Sequence, residues 1–144
     1  MLRNLNPILS PDLLYILASM GHGDEIVIAD ANFPSDSSTD RLVRLDGVAA
    51  PDVVEAVLSI MPLDNFVDDP ARSMQIVGKP DEIPPVVQEY QEIINKTADF
   101  PAQIKTVERF AFYEEAKKAY AIVQTGELRI YGNLILKKGV VAPS

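Results

Sequence analysis

The run Glu25-Ile26-Val27-Ile28-Ala29 constrains what this chain can fold into more than any other stretch. Its centre is β-branched and turn residues bound it on both sides, so it reads as a short strand buried on both faces. The turn Gly21-His22-Gly23 comes before it, and Asp30 stands where it meets a loop. Flanking glycines suit a sharp turn or a close approach to a ligand, which places His22, the one histidine, at an exposed turn. A carboxylate just past such a strand faces the mouth of a sheet, where open α/β folds bind ligands. The plain alternatives are a surface turn histidine and an Asp30 that caps its own loop, through an Asx-turn into Ala31 and Asn32. What favours function is the pairing, because an imidazole and a carboxylate are held at the two ends of one rigid segment.

Around this strand the chain is punctuated by proline and glycine. Ser10-Pro11-Asp12 starts a helix with an N-cap, a proline at the first turn and an acid near the positive end of the dipole. Leu13, Leu17 and Met20 form its apolar stripe, and Gly21 stops it. Residues 31–40 have no period and read as a loop. Leu42 to Leu45 is a second strand, turned by Asp46-Gly47. Pro51-Asp52 opens a helix lined by Val53, Val54, Val57 and Ile60 that ends before Pro62. Residues 63–72 look acidic and irregular, and Ser73 to Val77 alternates like a strand. Pro84-Pro85 leads into a helix carrying Val86, Tyr90, Ile93 and Ile94, and Ile104 to Val107 is a short strand. A helix over Arg109 to Ala119 and strands at Ala121 to Thr125 and Asn133 to Leu136 complete the pattern.

Alternating helices and strands predict an α/β fold, a mainly parallel sheet covered by helices on both faces. The last two strands are too close together for a helical crossover, so at least one strand runs antiparallel. A length of 144 residues suits a single domain spanning 1–144.

Composition removes several classes of function. The formal charge of −8 repels phosphate backbones and anionic lipid, so neither nucleic acid nor membrane is an expected partner. With no cysteine, thiol catalysis and zinc-cysteine sites are excluded. No apolar run approaches the roughly 20 residues of a membrane span. The apolar segment Leu13 to Ala18 after Arg3 imitates a signal peptide, but Pro7, Pro11 and Asp12 interrupt it and a helix cap explains it better; a cytoplasmic protein is expected. No P-loop or dinucleotide fingerprint occurs, and one histidine with Asp24 or Asp30 is weak support for a metal, so no cofactor or metal is expected.

Two further sites stand out. Tyr131-Gly132-Asn133 sets a phenol, a backbone open to close approach and an amide side by side, a combination suited to recognising hydroxyls on a polar ligand, although a hairpin turn with a packed tyrosine is equally compatible. Arg109 sits at a helix start, where the dipole disfavours a cation, and a residue placed against local preference hints at a ligand or partner.

Taken together, Ser10-Pro11, Gly21-His22-Gly23-Asp24, Asp30-Ala31-Asn32-Phe33-Pro34, Arg109-Phe110-Ala111-Phe112-Tyr113-Glu114 and Tyr131-Gly132-Asn133 resemble the ribose pyranase and L-fucose mutarotase family, in its fucose branch. The resemblance covers nearly the whole chain. It implies a three-layer α/β/α domain with a six-stranded mixed sheet, and an isomerase that interconverts the α and β anomers of a free monosaccharide, L-fucose above all, through the open-chain aldehyde. It also implies that His22 donates the proton, that Asp30, Arg109, Tyr131, Gly132 and Asn133 bind substrate, and that the subunits form a homo-oligomer, typically a decameric ring with sites shared between neighbours. Either Asp24 or Asp30 could hold the imidazole or take the second proton. Two other readings stay open: a ribose-type pyranase, and a monosaccharide-binding module without chemistry.

Overall fold

The computed structural model describes residues 1–144. Six strands, β1 (Glu25–Ala29), β2 (Leu42–Leu45), β3 (Ala71–Met74), β4 (Lys105–Val107), β5 (Ala121–Thr125) and β6 (Leu134–Lys137), form one sheet in the order β2-β5-β1-β6-β3-β4. β1 runs parallel to β5, β5 to β2 and β3 to β4, whereas β6 is antiparallel to both of its neighbours, β1 and β3. The sheet is therefore mixed and mainly parallel, with β6 the one reversed strand. As expected from the short link, β5 and β6 are not joined by a helix. They do not pair with each other either, but flank β1 from opposite sides.

Side chains alternate across the sheet as the period of two requires. Ile26, Ile28, Val43, Val123, Leu134 and Leu136 face one layer, formed by the helices α1 (Pro11–Ser19), α2 (Ala50–Leu58) and α3 (Pro85–Thr97). Val27, Ala29, Ile122 and Ile135 face the other, where α4 (Arg109–Lys118) supplies Phe112 and Ala116 and the loop after β1 supplies Phe33. Three layers result. β1 is buried on both faces, with Ile26, Val27, Ile28 and Ala29 all fully enclosed.

Local chemistry accounts for the helix ends. The Ser10 hydroxyl accepts from the Leu13 amide at 3.3 Å, with Pro11 in the first turn. At the far end Lys138 Nζ donates to the Leu17 and Met20 carbonyls that α1 leaves unpaired. The Glu108 carboxylate caps α4 through the Ala111 amide at 3.0 Å. Glu114 and Lys117 pair on the solvated face of α4 at 3.4 Å.

Two boundaries differ from the sequence reading by more than one residue. β3 spans Ala71–Met74 rather than residues 73–77, because Arg72 is buried in it, paired with Glu25 at 2.7 Å and Glu115 at 3.0 Å. A charged residue at a strand centre hides the strand from any apolar alternation. Residues 76–79 instead close a tight turn through an Ile76–Lys79 bridge. α2 ends at Leu58, so Ile60 lies past the helix and is partly exposed rather than on its apolar face.

Gly126, just past β5, packs against the β2 turn so closely that a Cβ there would stand 2.1 Å from the Asp46 carbonyl oxygen. Gly126→Ala is expected to cost about 1–3 kcal/mol by forcing backbone apart. Gly47→Ala, which meets nothing within 4 Å, should stay within about 0.5 kcal/mol of the parent in urea unfolding.

Candidate active site

The carboxyl ends of the parallel strands and the start of β6 meet at one edge of the sheet. Asp30, one residue past β1, is only 4 % exposed. Its backbone amide donates to Asn133 Oδ1 at 2.8 Å, and Asn133 Nδ2 donates back to Asp30 Oδ2 at 3.1 Å. The other carboxylate oxygen accepts from the Asn32 amide at 2.9 Å, so Asp30 does form the Asx-turn and also reaches the strand opposite. Gln124 on β5 fixes the Asp30 carbonyl from the other side, donating to it at 2.8 Å, and accepts from Ser35 at 2.5 Å. Burial lifts the Asp30 carboxyl above the usual carboxylate range, and the donors from Asn32 and Asn133 offset only part of that rise.

Residues 126–132 arch over this edge from β5 to β6. Tyr131 adopts a left-handed backbone with φ 62°, uncommon for a residue with a Cβ, and its phenol oxygen accepts from the Val77 amide at 3.2 Å. The Tyr90 phenol, fully buried on α3, donates to the Gly132 carbonyl at 2.8 Å. Gly132 is tightly enclosed, since a Cβ would lie 3.1–3.3 Å from Arg129, Glu127 and Tyr90 atoms, which would have to give way. Arg109 begins α4 right after β4, on this same edge, with its guanidinium carbon 4.4 Å from the Phe110 ring centre. Phe110 packs on Tyr113 and Tyr113 on Phe33, which connects Arg109 to the loop that Asp30 opens.

His22 lies elsewhere. The Gly23 amide donates to the Lys138 carbonyl at 2.9 Å, which ties the turn to the far end of β6. His22 Nε2 stands 3.0 Å from Asp64 Oδ1, with the imidazole 45 % exposed and the carboxylate 2 %. Its ring lies 4.9 Å from that of Phe66. A carboxylate oxygen only accepts, so Nε2 carries the proton of this bond and Nδ1 takes no part in it.

The carboxylate that holds the imidazole is therefore Asp64, and neither Asp24 nor Asp30. Asp24 instead accepts from the Gly21 amide at 2.8 Å within its own turn. Asp64 belongs to the stretch that reads as irregular, and its one sequence signal is Gly139. A Cβ at Gly139 would come within 2.8 Å of the Asp64 Cα, so only glycine lets the two segments touch.

Asp30, Tyr131, Gly132, Asn133 and Arg109 thus gather at one edge of the sheet, and His22 stands at the other. The five residues of β1 separate Asp30 from His22, about 16 Å at roughly 3.3 Å per residue. A monosaccharide cannot bridge that distance within one chain. A cavity of about 390 Å³ opens beside Asp64, lined by Asn65, Asp68, Phe100 and Lys105 among others. No three His, Asp or Glu side chains are grouped so as to hold a metal ion.

Compared with known proteins, residues 3–141 match the model of the RbsD / FucU transport protein family. The chain is 49 % identical over 147 residues to the human fucose mutarotase, covering 98 % of this chain and 95 % of the relative. The crystal structure of the Streptococcus pneumoniae fucose mutarotase in complex with L-fucose superposes with a TM-score of 0.91 at 47 % identity, covering 98 % of this chain and all of the other. Bacillus subtilis RbsD complexed with D-ribose shares the fold at a TM-score of 0.74 but only 24 % identity, covering 99 % of this chain and all of the other.

The raised Asp30 carboxyl sets a sign for pH dependence. Between the unfolded carboxylate range and the higher native value the folded chain binds more protons, so this group's contribution to stability falls as pH rises. Relative to Asp30→Asn, the parent should lose stability as pH goes from about 4 to about 7, read from urea midpoints of both proteins. A difference that stays flat or slopes the other way contradicts the assignment.

Proposed function

The chain belongs to the RbsD / FucU transport protein family, and on that premise we propose that it is an isomerase that interconverts the α and β anomers of L-fucose. The observation that carries the reading is the Asp30–Asn133 pair at the mouth of the sheet, in a chain 47 % identical to a fucose-bound protein along nearly all of its length. Hydroxyl recognition needs donors and acceptors held in fixed directions, and Asp30, Asn133, Tyr131, the Gly132 backbone and Arg109 supply them from one edge.

Anomer exchange breaks the bond between the anomeric carbon and the ring oxygen. A proton is delivered to the ring oxygen while another leaves the anomeric hydroxyl, whose oxygen becomes the aldehyde carbonyl. Rotation about the adjacent carbon–carbon bond and closure complete the cycle. His22 delivers the first proton through Nδ1, with Asp64 orienting the ring from Nε2 and stabilising its charged form. Asp30 is our candidate acceptor of the second, since burial raises its carboxyl above the usual range and makes it a stronger base than an exposed carboxylate. The reaction has no redox step, and the groups named move every proton it requires.

Because His22 and Asp30 occupy opposite edges, the reading requires a second copy of the chain to bring its His22 turn to the Asp30 edge of the first. Exposed apolar side chains at both edges support such a contact: Leu128 and Ile130 are 84 % and 64 % exposed on the arch, and Phe66 is 71 % exposed beside His22. Repeating one such contact around an axis closes a ring, and a decameric ring is the assembly we propose. We place the enzyme in the cytoplasm, on the ground that the apolar run Leu13 to Ala18 is a capped helix packed into the core.

Saturation-transfer NMR on L-fucose tests the activity. The parent should speed anomer exchange, and His22→Ala should lower that rate by about 10² or more. Ribose in parallel reports the pyranase alternative, and saturable binding with no faster exchange would identify a binding module. Mixing unfolded and refolded His22→Ala with Asp30→Asn tests the shared site. Random assembly should restore about a quarter of the sites, whereas sites confined to one chain would stay dead.

A further inference from the structure

The arch of residues 126–132 contains an ion-pair cluster that the proposed chemistry does not use. Glu127 is buried at 4 % exposure, next to the exposed tip formed by Leu128, Arg129 and Ile130. Its carboxylate accepts from the Arg129 amide at 3.1 Å and from Arg129 Nε at 2.8 Å through one oxygen, and from Arg129 Nη2 at 3.2 Å through the other. The guanidinium also donates through Nη1 to Glu89 on α3. Side-chain bonding from Arg129 more than offsets the effect of burial and holds the Glu127 carboxyl below the usual range.

The placement is more specific than a surface salt bridge. Glu89 and Tyr90 are consecutive on α3, and they grip the arch at Arg129 and at the Gly132 carbonyl respectively. The Glu127 side chain lies directly under Gly132, where a Cβ would stand 3.2 Å from its Cγ. The Glu127 carbonyl accepts from the Ala31 amide at 2.8 Å, one residue after Asp30. Both halves of the sugar-facing edge, the Asp30 loop and the arch, are thus registered to the same residue. The left-handed backbone at Tyr131, costly for a residue with a Cβ, persists only where its surroundings over-determine it.

We infer that Glu127 and Arg129 are positioning residues for sugar recognition: their fork, anchored on Glu89, sets Tyr131, Gly132 and Asn133 against Asp30. Neither touches substrate. This inference rests on the proposed sugar site, and its effect falls on substrate affinity more than on proton transfer, because His22 belongs to the opposite edge of the neighbouring copy and Asp30 keeps its Asn32 and Gln124 anchors outside the arch.

Arg129→Met, on a side chain 44 % exposed, removes the fork with little threat to folding. Glu127→Ala removes the buried partner, and Glu127→Gln keeps acceptors for the Arg129 amide and Nε. In the NMR exchange assay with L-fucose, Arg129→Met and Glu127→Ala should raise KM about tenfold, with kcat changed by less than about threefold, and Glu127→Gln should recover part of the loss. A purely structural role would lower the melting temperature and the active fraction and leave KM where it was, and that result overturns the inference. Should Glu127→Ala fail to fold, Arg129→Met alone decides. Should the parent not exchange L-fucose, the proposed function fails by itself. The arch is then read from the Asp30 amide and Asn133 side-chain amide resonances in Arg129→Met, whose movement supports the positioning role and whose constancy refutes it.

Discussion

The reversed strand β6, inserted between β1 and β3, is the constraint on which the rest of the structure depends. It joins the parallel group β2-β5-β1 to the parallel pair β3-β4, and its Leu134, Ile135 and Leu136 are fully enclosed. Side chains of this kind contribute about 1.5–3 kcal/mol each when removed from water, so the seam is among the most strongly buried parts of the sheet. Because β6 runs against β1, each end of the pair brings together a residue that leaves one strand and a residue that enters the other. At one end Asp30 leaves β1 where Asn133 enters β6. At the other, the His22 turn enters β1 where Lys138 and Gly139 leave β6, and these receive Gly23 and the Asp64 segment.

The two half-sites differ in how they are built. At the Asp30 edge polar groups are buried and matched one to one, with Asn133, Gln124, Ser35 and Asn32 satisfying the loop, so little reorganisation is left for a ligand to impose. At the His22 edge the carboxylate is buried but the imidazole is half in solvent. On the proposed reading, rigid recognition on one side and a proton donor on the other divide the work of opening a sugar ring between two faces of one chain.

The Arg72 cluster shows a different use of buried charge. Arg72 pairs with Glu25 and Glu115 across the layer between β1, β3 and α4. Removing either partner would strand a charge in the core, an expensive outcome, whereas the intact set is roughly balanced. The cluster therefore acts more on the docking of α4, and through it on the position of Arg109, than on net stability.

Local chemistry made most of the fold legible in the residues. Pro11, Pro51 and Pro85 in the first turn mark helix starts, the first with a Ser10 cap, β-branched runs mark β1 and β5, and the short link after Thr125 demands a reversed strand. β3 was misplaced because its defining residue, Arg72, is polar by itself and buried only through partners far away in the chain. The site was legible in part for the same reason. Asp30, Arg109 and residues 131–133 carry recognisable local patterns, and they do assemble at one edge. Asp64 carries none, because its role exists only where Gly139 lets the β6 extension pass close beneath it. By itself the sequence determined most of which segments become helix or strand and which side chains offer donors and acceptors for a polar ligand, since both follow from near neighbours. Only the tertiary structure decided that His22 pairs with Asp64 and stands a full strand length from Asp30, because that depends on which strand β6 joins and in which direction it runs.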